Sequence, residues 1–324
     1  MSKLIVILPC FNESSIIKYS IDKLSNLMVE MINNNLISED SFLCFVDDGS
    51  RDDTWEIIKQ FSKTDKLIKG IKLSNNFGHQ NALLAGLMSN INKADIFITI
   101  DSDLQDDIEV IPDMIKSYKL GNEIVYGVRK SRNTDSFFKR KSAEFFYDLQ
   151  NLIGINIIKN HADFRLISNS ILLELDKFRE INLYLRAIFP LIGYRSDIVY
   201  YERKARLAGE TKYPLRKMLS FAWDGITSFT VFPLRLITIL GTIIFLLSII
   251  MIIWVLYLKL FTAQTIPGWS STTIPIYFLG GIQLLSLGII GEYIGKIYKE
   301  VKSRPRYMIE ELTDIDKKTV DYDN

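Results

Sequence analysis

The sequence predicts an α/β protein: a doubly wound, mostly parallel sheet, then an amphipathic interfacial helix and a two-helix transmembrane hairpin. Three observations carry this expectation. Short β-branched runs alternate with segments of helical apolar spacing through residues 1–212, the pattern of a wound parallel sheet. Two of those runs end abruptly in acids, at Asp47-Asp48-Gly49-Ser50 and at Asp101-Ser102-Asp103, and open α/β sheets bind ligands at the carboxyl ends of their strands. Behind them the composition changes. Residues 236–258 carry no charge, a stretch long enough to cross a bilayer, and 274–290 is a second apolar run.

Taken in order, residues 4–8 form a first strand ended by Pro9, and 14–31 a helix with apolar residues at helical spacing. Residues 42–46 are the second strand and 54–61 the next helix. Strand 68–73, the Ala/Leu-rich helix 80–89, strand 96–100, helix 108–120 and strand 124–128 follow. Such a βα alternation demands right-handed crossovers between parallel strands. Neither GxGxxG nor GxxxxGK[ST] occurs, which weakens dehydrogenase and P-loop readings. A further strand is expected at 198–201. After it, Leu215, Met218, Leu219, Ala222, Ile226 and Phe229 share one helical face, as in a helix lying in a membrane interface with Trp223 at headgroup depth.

Pro233 breaks the path before the first span. Arg216, Lys217 and Arg235 precede the hairpin, and Lys296, Lys299, Lys302, Arg304 and Arg306 come after it. By the positive-inside rule both ends face the cytoplasm, which makes this a multi-pass protein of the plasma (cell inner) membrane. The expected divisions are a cytoplasmic catalytic domain at 1–212, juxtamembrane helices at 213–233, the two spans at 234–298 and a tail at 299–324. The tail after Tyr307 is acidic and polar and is expected to be loosely ordered.

Composition excludes several classes. Charge is balanced, 39 basic against 38 acidic residues, so no global field points to nucleic acid. Cys10 and Cys44 form no CxxC and read as buried thiols of a reducing compartment. His79 and His161 are the only histidines, which excludes a His-rich zinc site. The apolar run at 4–8 is too short for a signal peptide.

The strand at 96–100 runs straight into Asp101, Ser102 and Asp103, with Gln105 and Asp106 just behind. Two carboxylates one residue apart can lean on one hard cation, and Mg²⁺ completes its octahedron with phosphate oxygens and water. A nucleoside diphosphate is the natural guest. An acidic turn capping the next helix uses the same residue types, and D-D-G-S alone reads as a tight turn. Local turn chemistry does not explain why both acidic turns fall on one rim. Asn75, Asn76, His79 and Gln80 surround a glycine at a helix start, open to either a capping or a sugar-binding role. Arg129, Lys130, Arg132, Lys139, Arg140 and Lys141 are opposed only by Asp135 and suit an anionic lipid face.

The stretches L-P-C-F-N-E at 8–13, V-D-D-G-S at 46–50, N-N-F-G-H-Q at 75–80 and D-S-D-L-Q-D at 101–106 resemble the family 2 inverting glycosyltransferases of GT-A fold. D-F-R-L-I-S at 163–168, R-L-A-G-E-T-K-Y at 206–213 and the apolar hairpin narrow the likeness to the polyisoprenyl-phosphate glycosyltransferases, over about residues 3–306. These include dolichyl-phosphate mannose synthases and bactoprenol glucosyl transferases. The resemblance implies that Pro9, Phe11, Glu13, Val46 and Asp48 line the base and ribose pocket. Phe11 stands where such proteins often have Tyr, so ring packing replaces any hydroxyl contact. It implies that Asp101 and Ser102 meet donor ribose or phosphate, and that Asp103 and Gln105, with Asp101, hold Mg²⁺ or Mn²⁺. Arg129 would reach phosphate, as would Arg206 and Lys212, a bidentate donor and a point charge respectively.

Asp163 is the implied base or orienter of the acceptor; a buried Asp paired with Arg165 is its structural alternative. The expected reaction is inverting transfer of a hexose, from UDP-glucose, to undecaprenyl phosphate at the cytoplasmic membrane face. Other donors (UDP-N-acetylglucosamine, an aminoarabinose nucleotide, GDP-mannose) and a non-catalytic membrane scaffold are the alternatives, and a homo-oligomer is compatible with either. A processive synthase is disfavoured because Q-x-x-R-W is missing.

Overall fold

The computed structural model describes residues 1–130, 161–181, 185–202, 232–261 and 268–313. Its elements are β1 (Leu4–Cys10), α1 (Ile17–Asn33), β2 (Phe42–Asp47), α2 (Thr54–Thr64), β3 (Ile68–Leu73), α3 (His79–Met88) and β4 (Ile96–Thr99). A 3₁₀ turn at Ile108–Val110 leads into α4 (Ile111–Lys119), which carries Pro112 in its first turn, where proline is best tolerated. Then come β5 (Ile124–Arg129), β6 (His161–Ser168), α5 (Asn169–Leu175), α6 (Leu185–Ile192), β7 (Ser196–Tyr201), α7 (Phe232–Phe261), α8 (Trp269–Lys302) and β8 (Ile309–Leu312).

Among the described residues the strands form one sheet in the order β7-β5-β6-β4-β1-β2-β3-β8. The half built from β1 to β4 is parallel, as the alternation demanded. β1 is buried along its whole length, which is why its sequence is a continuous apolar run. α1 buries Ile17, Ile21, Leu24, Met28 and Met31, a stripe at helical spacing. Gly86 lets α3 lie directly on the sheet: a Cβ there would stand 2.5 Å from Ile7 Cγ2 and 2.8 Å from Val46 Cγ2.

The other half corrects the expected list of strands, although six of the eight strands still run the same way. β6 inserts antiparallel between β4 and β5, while β5 and β7 pair in parallel. The sheet is therefore mixed. Residues 161–168 did not read as a strand because Asp163 and Arg165 interrupt the apolar run, yet Phe164, Arg165, Leu166 and Ile167 are all buried. The strand tolerates the charges by pairing them with each other.

The tail supplies a second correction. Instead of lying loose, Ile309–Leu312 adds an antiparallel edge strand to β3. Short, and half glutamate, it carries no strand signature in sequence. The chain separates into two compact units, one of Met1–Asn151, Asn156–Lys212 and Pro305–Asn324, the other of Leu152–Ile155 and Tyr213–Arg304. In the second, α7 and α8 are long, but several of their side chains lie outside the description. Among the described residues no helix is long and apolar enough to cross a membrane. The expected interfacial helix at 213–233 lies outside the described residues.

Candidate active site

The carboxyl ends of β1, β2 and β4 lie side by side by register, since Pro9 pairs with Val46, Cys10 with Asp47 and Ile7 with Thr99. Because β6 runs antiparallel to β4, its beginning lies at the same rim. Thr99 Oγ1 donates to the Asp163 carbonyl. The fold thus brings Asp48, Asp101, Asp103 and Asp163 to one edge.

The first loop and the D-D-G-S turn are zipped together by side chains. Asn12 N–H donates to Ser50 Oγ (2.9 Å), Arg51 N–H to Asn12 Oδ1 (2.9 Å) and Glu13 N–H to Thr54 Oγ1 (2.9 Å). Asp48 binds the 74–78 loop, its oxygens accepting the N–H groups of Phe77 (2.7 Å) and Gly78 (2.9 Å). Gly49, at φ +67°, completes this packing: a Cβ there would lie 2.5 Å from the Asn75 carbonyl carbon. Phe11 is exposed. Pro9 and Val46, expected to line the pocket, sit at the ends of β1 and β2. Both are buried strand residues, and Val46 Cγ2 faces the Gly86 position in the core.

At the end of β4 the chain turns through Leu104 at φ 47°. Asp103 and Gln105 meet there, Gln105 Nε2 donating to Asp103 Oδ2 (2.6 Å). The Ser102 side chain is buried, and its carbonyl accepts from Ser20 Oγ of α1 (2.5 Å), which holds the turn against the helix. Asp101 differs from its neighbours. Its Oδ1 is buried, accepts no hydrogen bond and stands 3.5 Å from His79 Nε2. Burial, opposed by His79, pushes its carboxyl up to about 6. Asp106 is a latch: it accepts from Tyr201 Oη (2.7 Å) and Arg129 Nη2 (3.1 Å). Arg129, expected to reach phosphate, is thereby engaged with Asp106 and with Tyr201 Oη (Nε, 3.2 Å).

Asp163 is the most connected acid on the rim. Its carboxylate accepts from Arg165 Nη2 (2.5 Å), Arg186 Nη2 and Nε (3.0 and 3.2 Å) and Gln80 Nε2 (3.3 Å), with His79 Nε2 at 3.4 Å. Burial opposes its charge, but the His79 contact and the Arg186 and Arg165 charges outweigh it and hold the carboxyl well below the ordinary range. The structural alternative, pairing with Arg165, is present. Arg165 is itself buried, over the Phe189 ring at 4.8 Å. Arg186 was missed in sequence, although a lone charge in the apolar run L-R-A-I-F-P-L-I was a signal. Arg206 and Lys212 lie outside the described residues, as do Arg132, Lys139, Arg140 and Lys141.

A mixed α/β sheet that gathers acids at the ends of its parallel strands is the arrangement expected of the GT-A class. Residues 5–176 match the family model described as Glycosyl transferase family 2, and the chain belongs to that family. Among its relatives, YkoT of Bacillus subtilis (strain 168), described as an uncharacterized glycosyltransferase, is 52 % identical, covering 95 % of this chain and 91 % of its own. A prophage bactoprenol glucosyl transferase homolog of Escherichia coli (strain K12) is 37 % identical over 96 % of this chain and 99 % of its own. The bactoprenol glucosyl transferase of Shigella phage SfX is 37 % identical over 95 % and 98 %.

Proposed function

We infer that this glycosyltransferase moves glucose from UDP-glucose to a polyprenyl phosphate at the cytoplasmic face of a membrane, with inversion at the anomeric carbon. The observation that carries this reading is the likeness to bactoprenol glucosyl transferases over nearly the whole chain, apolar helices included.

The rim suits a divalent cation. Asp101 Oδ1 is buried with no hydrogen-bond donor, and Asp103 and Gln105 converge one turn away. Among the described residues no group of three or more His, Cys, Asp or Glu side chains is arranged to hold a metal ion. Mg²⁺ and Mn²⁺ need few protein ligands, and either would take Asp101, Asp103 and Gln105 and leave positions for diphosphate oxygens and water. Such a cation, when bound, neutralises charge on the departing nucleotide.

The remaining roles fall to the protein. The first loop, with Phe11 and Glu13, and the Asp48-braced 74–78 loop form the walls for base and ribose. Asp163 orients. A carboxylate held so acidic and so fully hydrogen-bonded is a poor proton acceptor, whereas a lipid phosphate is already anionic and needs only aiming. Asp163 holds Arg165, Arg186 and His79 in place, and the half-exposed Arg186 offers the acceptor a guanidinium. Arg206 and Lys212 are assigned to the same phosphates on their spacing. The helices α7 and α8 are assigned as the membrane hairpin, supported by the uncharged run 236–258 and by exposed Ile239, Ile243, Leu247, Ile250 and Ile253 on α7.

The test is transfer of labelled sugar into an organic-extractable lipid by the full-length protein in nanodiscs with undecaprenyl phosphate. A panel of nucleotide sugars is offered one at a time. UDP-glucose is expected to give the labelled lipid. Label from another nucleotide sugar alone would replace the donor, and no lipid product from any of them would remove the acceptor.

A further inference from the structure

The strand β8 reaches both walls of the donor pocket inferred above, although it comes after α8 in the chain and contains none of the family motifs. On one side, Ser74 N–H donates to the Met308 carbonyl (2.9 Å). Ser74 opens the loop whose Phe77 and Gly78 N–H groups are held by Asp48, and which delivers His79 to Asp101 and Asp163. The β3·β8 register shifts between Lys72 and Leu73, just before that loop. An irregularity of this kind bends a strand and re-aims the segment beyond the bend.

On the other side, Glu311 grips α2. Its Oε2 accepts from Trp55 Nε1 (3.0 Å) and its Oε1 from Lys59 Nζ (2.5 Å). The first turn of α2 carries Thr54, whose hydroxyl accepts the Glu13 N–H of the first loop. Thr313 closes the end: its N–H donates to the Gly70 carbonyl (3.0 Å), and its Oγ1 accepts the Gly70 N–H (2.8 Å). Gly70 is a fitted partner, since a Cβ there would stand 2.8 Å from Ile58 Cγ2 and 3.0 Å from Thr313 Cγ2.

We propose that residues 308–313 are a positioning element of the nucleotide-sugar site. The segment holds the 74–78 loop through Met308 and the first loop through Glu311 and α2, so that its docking sets donor affinity. Glu311 is a positioning residue and touches no substrate. The proposal rests on the donor-pocket reading, and its test separates the two.

In the full-length protein, Glu311→Ala and Glu311→Gln are compared by UDP binding and by amide hydrogen exchange at Phe77 and Gly78. Losing a half-exposed ion pair and one indole hydrogen bond is expected to weaken UDP binding about three- to tenfold and speed exchange at those amides by a similar factor. Glu311→Gln keeps an acceptor for Trp55 and is expected to restore most of both. Turnover at saturating donor should stay within about twofold, since the reacting groups are untouched. Unchanged UDP affinity with faster exchange confined to β8 and β3 would reduce the segment to an edge cover and overturn the proposal. If the wild type binds no UDP, the donor reading fails, and the exchange at Phe77 and Gly78 still decides whether β8 holds the loop.

Discussion

Asp163 is the residue whose chemistry its surroundings alter most. Arg165, Arg186, Gln80 and His79 occupy its lone pairs and keep it ionised. Because its folded pKa is depressed, the stability it contributes is complete above the unfolded value of about 4 and is lost only as acid carries the pH below that. Asp163→Asn leaves two guanidinium groups without a counter-charge, one of them buried, and is expected to lower stability by about 3 kcal/mol. Burial works against a charge on His79, but its hydrogen bond to Asp163 and the Asp101 charge raise its pKa overall, so urea melts of wild type and variant should show a difference at least as large at about pH 6 as at about pH 8. A difference that shrinks toward pH 6 would place a titrating carboxyl there and return Asp163 to the role of base. The neighbouring turn has the opposite character, with chemistry but little structural burden. Asp103→Asn keeps the shape yet removes charge from the cation site. Turnover is expected to fall at least about 10²-fold, the scale of losing one electrostatic stabiliser, while the thermal midpoint stays put. Full activity of wild type in EDTA would dispose of the cation.

At the scale of elements, legibility followed locality. β1, β2 and β4 were readable because apolar runs ended in acids or proline, and α1 and α4 because their buried residues recur at helical spacing. β6 was not readable: the pair that makes its burial tolerable, Asp163 and Arg165, is also what erases its strand pattern. β8 was hidden for another reason. Two of its four residues are glutamates whose partners Lys59, Lys72 and Trp55 lie far back in the chain. In the site, the acids were legible as types at strand ends, whereas Arg186 is defined by an Asp163 contact that only the fold creates. The α3–sheet contact offers a direct check on packing. Gly86→Ala places a methyl 2.5 Å from Ile7 Cγ2, and overpacking of this kind typically destabilises by about 1–3 kcal/mol. Chemical denaturation that finds no loss would mean α3 stands further from the sheet.

For the whole molecule, the reading joins a sugar-donor site to a lipid acceptor, so the apolar helices must bring the chain to a bilayer. The uncharged run 236–258 carries that expectation. The protein is expected to stay in the membrane pellet through an alkaline carbonate wash, and release into the supernatant would contradict spanning. The central claim is sharper than attachment: one hexose passes from an α-linked nucleotide to a lipid phosphate with inversion. It is tested most directly by isolating the lipid formed from UDP-glucose and undecaprenyl phosphate and determining its mass and anomeric configuration by mass spectrometry and NMR. A β-linked glucosyl phosphate lipid is the predicted result. An α-linked product, or UDP released with free glucose and no sugar on the lipid, would contradict it.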